Sequence, residues 1–92
     1  MRLRDAKMLN RMGMLDRVVM QDTDQGWVID FRPSVIQPGV DYALEIAREH
    51  RPRYWKSLGR AVEWLRREFG NHIKIDVIEK GAVKAKEFVN GP

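Results

Sequence analysis

The chain of 92 residues contains no cysteine, and this absence excludes disulfide bonds, thiolate metal sites and cysteine nucleophiles. It also lacks any run of about 20 apolar residues, the length that a membrane-spanning helix needs. Its first residues are charged and lack the apolar segment of a signal peptide. We therefore expect one small domain over residues 1–80, located in the cytoplasm and not in a membrane.

Groups that carry catalysis or hold metals are also scarce. Ser57 is placed to cap a helix, and no base nearby would activate it as a nucleophile. His50 and His72 lie in different turns and have no partner at metal-ligand spacing. In the segment Asp22–Gly26 the glycine comes one position too early for a calcium loop. We therefore expect no enzyme, no metal site and no cofactor.

Two amphipathic helices are predicted from hydrophobic periodicity. Apolar side chains recur at helical spacing from Leu3 to Met12, and Gly13 stands where a left-handed glycine ends a helix. A second helix is predicted between the N-cap Ser57 and Gly70. Its apolar stripe consists of Leu58, Ala61, Val62, Leu65 and Phe69. Each helix therefore has one face to bury.

Strands are predicted where apolar and polar residues alternate. Residues 17–21 and 27–32 flank a turn and predict a hairpin, and residues 53–56 and 73–77 predict two further strands. The fold class that follows is α+β, with a small antiparallel sheet of four to five strands and two helices in the order α-β-β-β-β-α-β. The tail over residues 81–92 is expected to be flexible or to hold one short helix.

Residues 40–50 leave two interpretations open. Tyr42, Leu44 and Ile46 alternate with smaller or charged residues, which favours a strand. Asp41 as an N-cap, followed by good helix formers, fits a helix instead. We favour the strand, because Pro52 leaves only a short connection to the next predicted strand.

Charge is distributed unevenly along the chain. Residues 21–47 carry one basic and five acidic side chains, whereas residues 48–67 carry seven basic and two acidic ones. The basic part of such a bipolar surface would attract polyanions. Charged side chains also serve solvation of the surface alone. Further basic residues near the amino terminus would add a second cluster if the first helix packs nearby; they are Arg2, Arg4, Lys7, Arg11 and Arg17.

The basic block contains a candidate nucleic-acid site. Its cations would neutralise phosphates, and Tyr54 would stack on an unpaired base while Trp55 faces inward. The predicted binding residues are Arg48, Arg51, Arg53, Tyr54, Lys56, Arg60 and Arg67. No helix-turn-helix, RNA-recognition or zinc motif accompanies them, so contact with the phosphate backbone and little base readout is expected.

Four segments together resemble a known family. They are Gly26–Phe31, the Tyr42-Ala43-Leu44 run, the Arg53-Tyr54-Trp55-Lys56-Ser57-Leu58 entry into the second helix, and Ile73–Val77. Over residues 9–78 the chain resembles ParC-type partition-associated proteins of plasmids and integrating elements. It departs from them in the proline-containing loop 33–39 and in the Glu49–His50 turn. The resemblance implies an accessory role on a mobile element and supplies no mechanism.

Two functions are compatible with these features. The first is a non-enzymatic accessory protein of a bacterial mobile element that binds DNA, or a DNA-bound partner, through the basic turn and helix face. The alternative is a small protein-binding inhibitor or adaptor, anti-CRISPR-like, that blocks a host nucleoprotein complex. The five methionines within the first 20 residues suit an adaptable protein-binding face. A homodimer through an exposed strand edge is compatible with either.

Overall fold

Two helices form where the apolar spacing predicts them. In the computed structural model, which describes residues 1–79, α1 spans Leu3–Arg11 and α2 spans Leu58–Phe69. Beyond α1 the chain turns at Gly13 with a φ of 70°, a left-handed conformation that glycine adopts without a steric penalty. No helix within residues 1–79 is long and apolar enough to cross a membrane. The predicted tail over residues 81–92 lies outside the described residues.

Four strands form one sheet in the order β3-β2-β1-β4. β1 spans Leu15–Thr23, β2 spans Gly26–Pro33, β3 spans Tyr54–Trp55 and β4 spans Ile75–Ile78. β1 and β2 form the predicted hairpin, and β3 is antiparallel to β2. The α+β class predicted from the sequence is confirmed.

The prediction of a wholly antiparallel sheet is wrong at one edge. β4 lies beside β1 and runs parallel to it, with Val18 opposite Ile75 and Met20 opposite Val77. The chain leaves β3 at one edge, crosses the sheet through α2 and returns at the other edge. Such a helical crossover brings the chain back in its original direction, so the strand that follows it is parallel.

The predicted strand within residues 40–50 is reduced to two isolated bridges. Ala43 bridges to Asp30, and Glu45 bridges to Pro52. The segment is nevertheless extended along β2, because the amide of Leu44 donates to the carbonyl of Ile29 at 2.8 Å. The helical interpretation of these residues is therefore wrong, and the alternation of apolar residues reflects an extended chain whose Leu44 is buried.

The core lies between one face of the sheet and the two helices. Cross-strand pairs of β1 and β2 place Val18 opposite Phe31 and Met20 opposite Ile29, and all four side chains are fully buried. The ring of Phe31 lies 5.5 Å from that of Phe69 on α2. The rest of the core cluster is Ala6, Leu44, Ala61, Leu65 and Ile73. This packing fixes both helices over the same sheet face.

Ser57 caps α2 as the sequence predicts. Its hydroxyl oxygen accepts a hydrogen bond from the amide of Arg60 at 3.3 Å. We expect Ser57→Ala to lower the free energy of unfolding by about 1 kcal/mol, because an amide of the first turn loses its acceptor. Urea unfolding followed by circular dichroism measures this change. Ser34→Ala, in an exposed loop, is the matched control, and equal stability of the two variants would contradict the cap.

Candidate nucleic-acid interface

Arg53, which directly precedes β3, is held by two tryptophan rings. Its guanidinium carbon lies 4.0 Å from the ring centre of Trp55 and 5.4 Å from that of Trp64 on α2. The two indole rings are 5.4 Å apart at an angle of 47°. Arginine stacks on such faces through both charge and planarity. The side chain is therefore positioned before any ligand arrives.

The hydrogen-bond donors of this guanidinium remain available. Within residues 1–79 the side chain of Arg53 has neither an ion pair nor a hydrogen-bond acceptor. A guanidinium carries five N–H donors in a fixed fork that matches the oxygens of a phosphate. An ordered arginine with free donors is a preorganised receptor for an anion.

A cleft beside β3, termed here the β3 cleft, surrounds one side of Arg53. Its volume is about 510 Å³, and its lining residues are Arg53, Tyr54, Trp55, Lys56, Ser57 and Arg60. Lys56 and Arg60 are exposed and have no ion-pair partner in the described part of the chain. Tyr54 is 40% exposed. The cleft therefore combines three cations with an accessible aromatic ring.

Gly26 sets how closely β3 approaches the hairpin. This residue has a φ of 131°, and a Cβ atom there would come within 2.7 Å of the carbonyl oxygen of Trp55. Glycine alone permits both the conformation and the close approach. The turn between β1 and β2 therefore contributes to placing Trp55 and the wall of the β3 cleft.

A second cleft lies between α1 and α2 and is termed the α1 cleft. Its volume is about 440 Å³. Its basic residues are Arg2, Arg4, Lys7 and Arg53, and its apolar residues include Leu3, Leu44 and Trp64. The start of α1 thus packs close enough to bring Arg2, Arg4 and Lys7 to the basic block, whereas Arg11 and Arg17 of the predicted second cluster line neither cleft. Arg53 lines both clefts.

The carboxylate of Glu45 also lines the α1 cleft, and it is ion-paired. The amino-terminal ammonium of Met1 donates to its Oε2 at 3.1 Å, and to the carbonyl oxygens of Ala43 at 2.6 Å and Asp41 at 3.2 Å. This hydrogen bond from the ammonium holds the pKa of Glu45 below its ordinary value. Within the described residues Glu45 forms its ion pairs with Met1 and His50 and none with an arginine of the cleft.

The seven predicted binding residues do not all meet. Arg53, Tyr54, Lys56 and Arg60 line the β3 cleft, whereas Arg48, Arg51 and Arg67 line neither cleft. Arg51 forms an ion pair with Glu49 in the same turn. Arg67 is exposed on α2, about two turns after Arg60.

Trp64 contacts Arg53 but is not among the binding residues that the sequence predicts. It follows Arg60 by four residues, so that helical spacing alone places its indole on the side of α2 that faces the clefts. Its role depends on Arg53, which approaches it from a separate element of the fold.

Other basic side chains serve the fold. Arg17 pairs with Asp16 and Asp76 at 3.1 Å each, and these bonds raise its pKa further. Arg66 donates to the carbonyl oxygens of Asn71 at 2.9 Å and Ile73 at 2.6 Å. Lys7 pairs with Glu68 at 2.8 Å. The region of unpaired positive charge is therefore smaller than the sequence suggests, and it includes cations that line both clefts.

The described residues provide no cluster of three or more histidine, aspartate or glutamate side chains suited to a metal ion. The hydroxyl of Ser57 is engaged in the cap, and that of Thr23 donates to the carbonyl oxygen of Gly26 at 2.7 Å. The chemistry that the clefts offer is therefore cationic and aromatic, which suits binding of an anion with planar groups.

The resemblance to ParC-type partition-associated proteins stays a prediction from the sequence. No protein-family model, curated protein or solved structure matches this chain.

Proposed function

We propose that this protein is a non-enzymatic nucleic-acid-binding protein that holds phosphates of DNA in the β3 cleft. The observation that carries the proposal is Arg53, stacked on Trp55 and Trp64 with its donors free. Lys56 and Arg60 line the same cleft and supply two more unpaired charges. Together they form a site to which the phosphate backbone is the natural complement.

The arrangement favours backbone contact over reading of the base sequence. Arg53 is fixed by the two indoles, so less side-chain freedom is lost when it binds a phosphate than for a free arginine. Recognition of the phosphates carries no sequence information by itself. We infer a binding mode in which affinity falls with salt and depends little on sequence.

The biological setting in this proposal comes from the sequence resemblance. An accessory protein of a plasmid or integrating element would act in the cytoplasm, where the element's DNA or a protein bound to it is the ligand. The charge of the β3 cleft supports the DNA component of this hypothesis.

Charge reversal at Lys56 and Arg60 tests the proposal. We expect the Lys56→Glu/Arg60→Glu variant to bind labelled DNA roughly tenfold more weakly at low salt, because two phosphate contacts become repulsive. The slope of log affinity against log salt should become shallower by about 1.8 for a duplex and about 1.4 for a single strand, since two contacts are lost. Fluorescence anisotropy with single- and double-stranded oligonucleotides at several salt concentrations measures both quantities.

The matched control is Arg11→Glu/Lys74→Glu. Both residues are exposed, line neither cleft and undergo the same change of charge. If the control loses as much affinity as the cleft variant, the effect comes from net charge and the proposed site is wrong. An affinity of the wild type that is independent of salt would also contradict the proposal.

Exposed apolar side chains favour a second candidate, the protein-binding adaptor. Met12 and Val35 are each 61% exposed, Ile36 is 55% exposed and Met8 is 51% exposed. Methionine adapts readily to different partner surfaces. Absence of binding to free DNA, even at low salt, would favour this function over the first.

A further inference from the structure

The β3 cleft and the α1 cleft meet at one residue. Arg53 lines both of them, with Lys56 and Arg60 on one side and Arg2 and Arg4 on the other. Arg2 and Arg4 are exposed and have no ion-pair partner within residues 1–79. The unpaired cations therefore follow a path from Lys56 and Arg60, through Arg53, to the amino-terminal end of α1.

The position of Arg53 between the two clefts favours a single strand over a duplex. Proteins that read duplex DNA insert a helix or a β-ribbon into a groove about 12 Å wide. Here Arg53 is recessed, because it lies against two indoles and forms part of the walls of two clefts. A flexible single strand can enter clefts of this kind and keep its phosphates near their basic residues.

Aromatic groups accompany the cations along the path. Tyr54 lines the β3 cleft and is 40% exposed, so its ring is accessible to a base. Trp64 lines the α1 cleft, where its indole already contacts Arg53 and Trp55. Alternation of basic residues with stacking surfaces is characteristic of sequence-tolerant binding to unpaired bases.

We infer that the two clefts form one continuous groove for single-stranded nucleic acid, in which Arg53 holds the central phosphate and Arg2 and Arg4 hold the end that lies over α1. This inference rests on the proposed function. It adds that the ligand is single-stranded and that the α1 cleft forms the second half of the site. The groove would accept on the order of four nucleotides or more.

Reversal of charge in the α1 cleft tests the second half of the groove. We expect Arg2→Glu/Arg4→Glu to lower the affinity for a labelled 12-nucleotide oligothymidylate about tenfold, with a salt slope shallower by about 1.4. Glutamates near the amino terminus of α1 interact favourably with the helix dipole. The variant should therefore keep its helical circular dichroism. Arg11→Glu/Lys74→Glu again controls for net charge, and its circular dichroism is compared too, because Arg11 lies in the last turn of α1.

Two further measurements test the stacking of a base on Tyr54 and the preference for a single strand over a duplex. Tyr54→Ala should weaken oligothymidylate binding about tenfold, whereas Tyr54→Phe, which keeps the ring, should bind like the wild type. A 12-base-pair duplex should compete at least about tenfold more weakly than the single strand at the same salt concentration.

Each failure has a distinct meaning. If the single strand binds but Arg2→Glu/Arg4→Glu matches its control, the α1 cleft is not part of the groove and the inference is overturned. If the duplex binds as tightly as the single strand, the assigned strandedness is wrong while the proposed function stands. If neither nucleic acid binds at low salt, the proposed function fails as well.

Discussion

Replacing Arg53 by methionine is expected to weaken binding of oligothymidylate by about tenfold or more while the domain stays folded. Methionine keeps an unbranched side chain that packs against Trp55 and Trp64, so the loss of packing is small. It removes the charge and the five donors at the residue that lines both clefts. Fluorescence anisotropy measures the affinity, and thermal unfolding checks the fold.

Arg53→Lys separates the contribution of charge from that of geometry. Lysine retains the charge but lacks the planar fork, so we expect an affinity between those of the wild type and the methionine variant. Arg67→Met is the matched control because Arg67 is exposed and lines neither cleft. If Arg53→Met and Arg67→Met lose equal affinity, the binding residues predicted from the sequence describe the site better than the residues that line the two clefts.

Phe31→Ala is expected to lower the free energy of unfolding by about 3–5 kcal/mol. Phe31 is fully buried on β2, and its ring lies 5.5 Å from the ring of Phe69 on α2. Truncation removes apolar burial and leaves a cavity between the sheet and the helix. Because domains are stable by only about 5–15 kcal/mol, most of the stability is at risk. Urea unfolding followed by circular dichroism measures the loss.

Two further variants keep this test interpretable. Phe31→Leu fills most of the same space and should cost less than Phe31→Ala, so it remains measurable if the alanine variant does not fold. Val35→Ala, at a side chain that is 61% exposed, should change stability by less than about 0.5 kcal/mol. A similar stability of Phe31→Ala and Val35→Ala would contradict the described core.

Local features of the fold were predictable because their signals lie within a few residues of each other. The cap at Ser57, the left-handed Gly13 and the hairpin around Asp22–Gly26 each depend on neighbours in the sequence. The apolar stripe of α2 likewise follows from helical spacing and identifies its buried face. The conformation of residues 40–50 was harder to predict, because their backbone hydrogen bonds go to β2, to Met1, to Arg51 and to Arg53. Tertiary contacts therefore decide it.

The candidate site was predictable only in part. Its chemistry follows from the Arg53–Lys56 run, in which basic and aromatic residues alternate. The stacking of Arg53 on Trp64 and the approach of Arg2 depend on how α1 and α2 pack. Arg17 illustrates the converse, since Asp76 neutralises it from 59 residues away. Ion pairs between residues so far apart in the sequence can be identified only in the folded structure.

The sequence by itself determined the helices, the β1–β2 hairpin and the excess of basic residues over residues 48–67, because periodicity, turn chemistry and composition are local properties. The tertiary structure alone decided that β4 runs parallel to β1 and that Arg53 lines both the α1 cleft and the β3 cleft. It also decided which cations remain unpaired. These features depend on burial of the apolar faces against one another, which brings distant segments together in a way that no local pattern specifies.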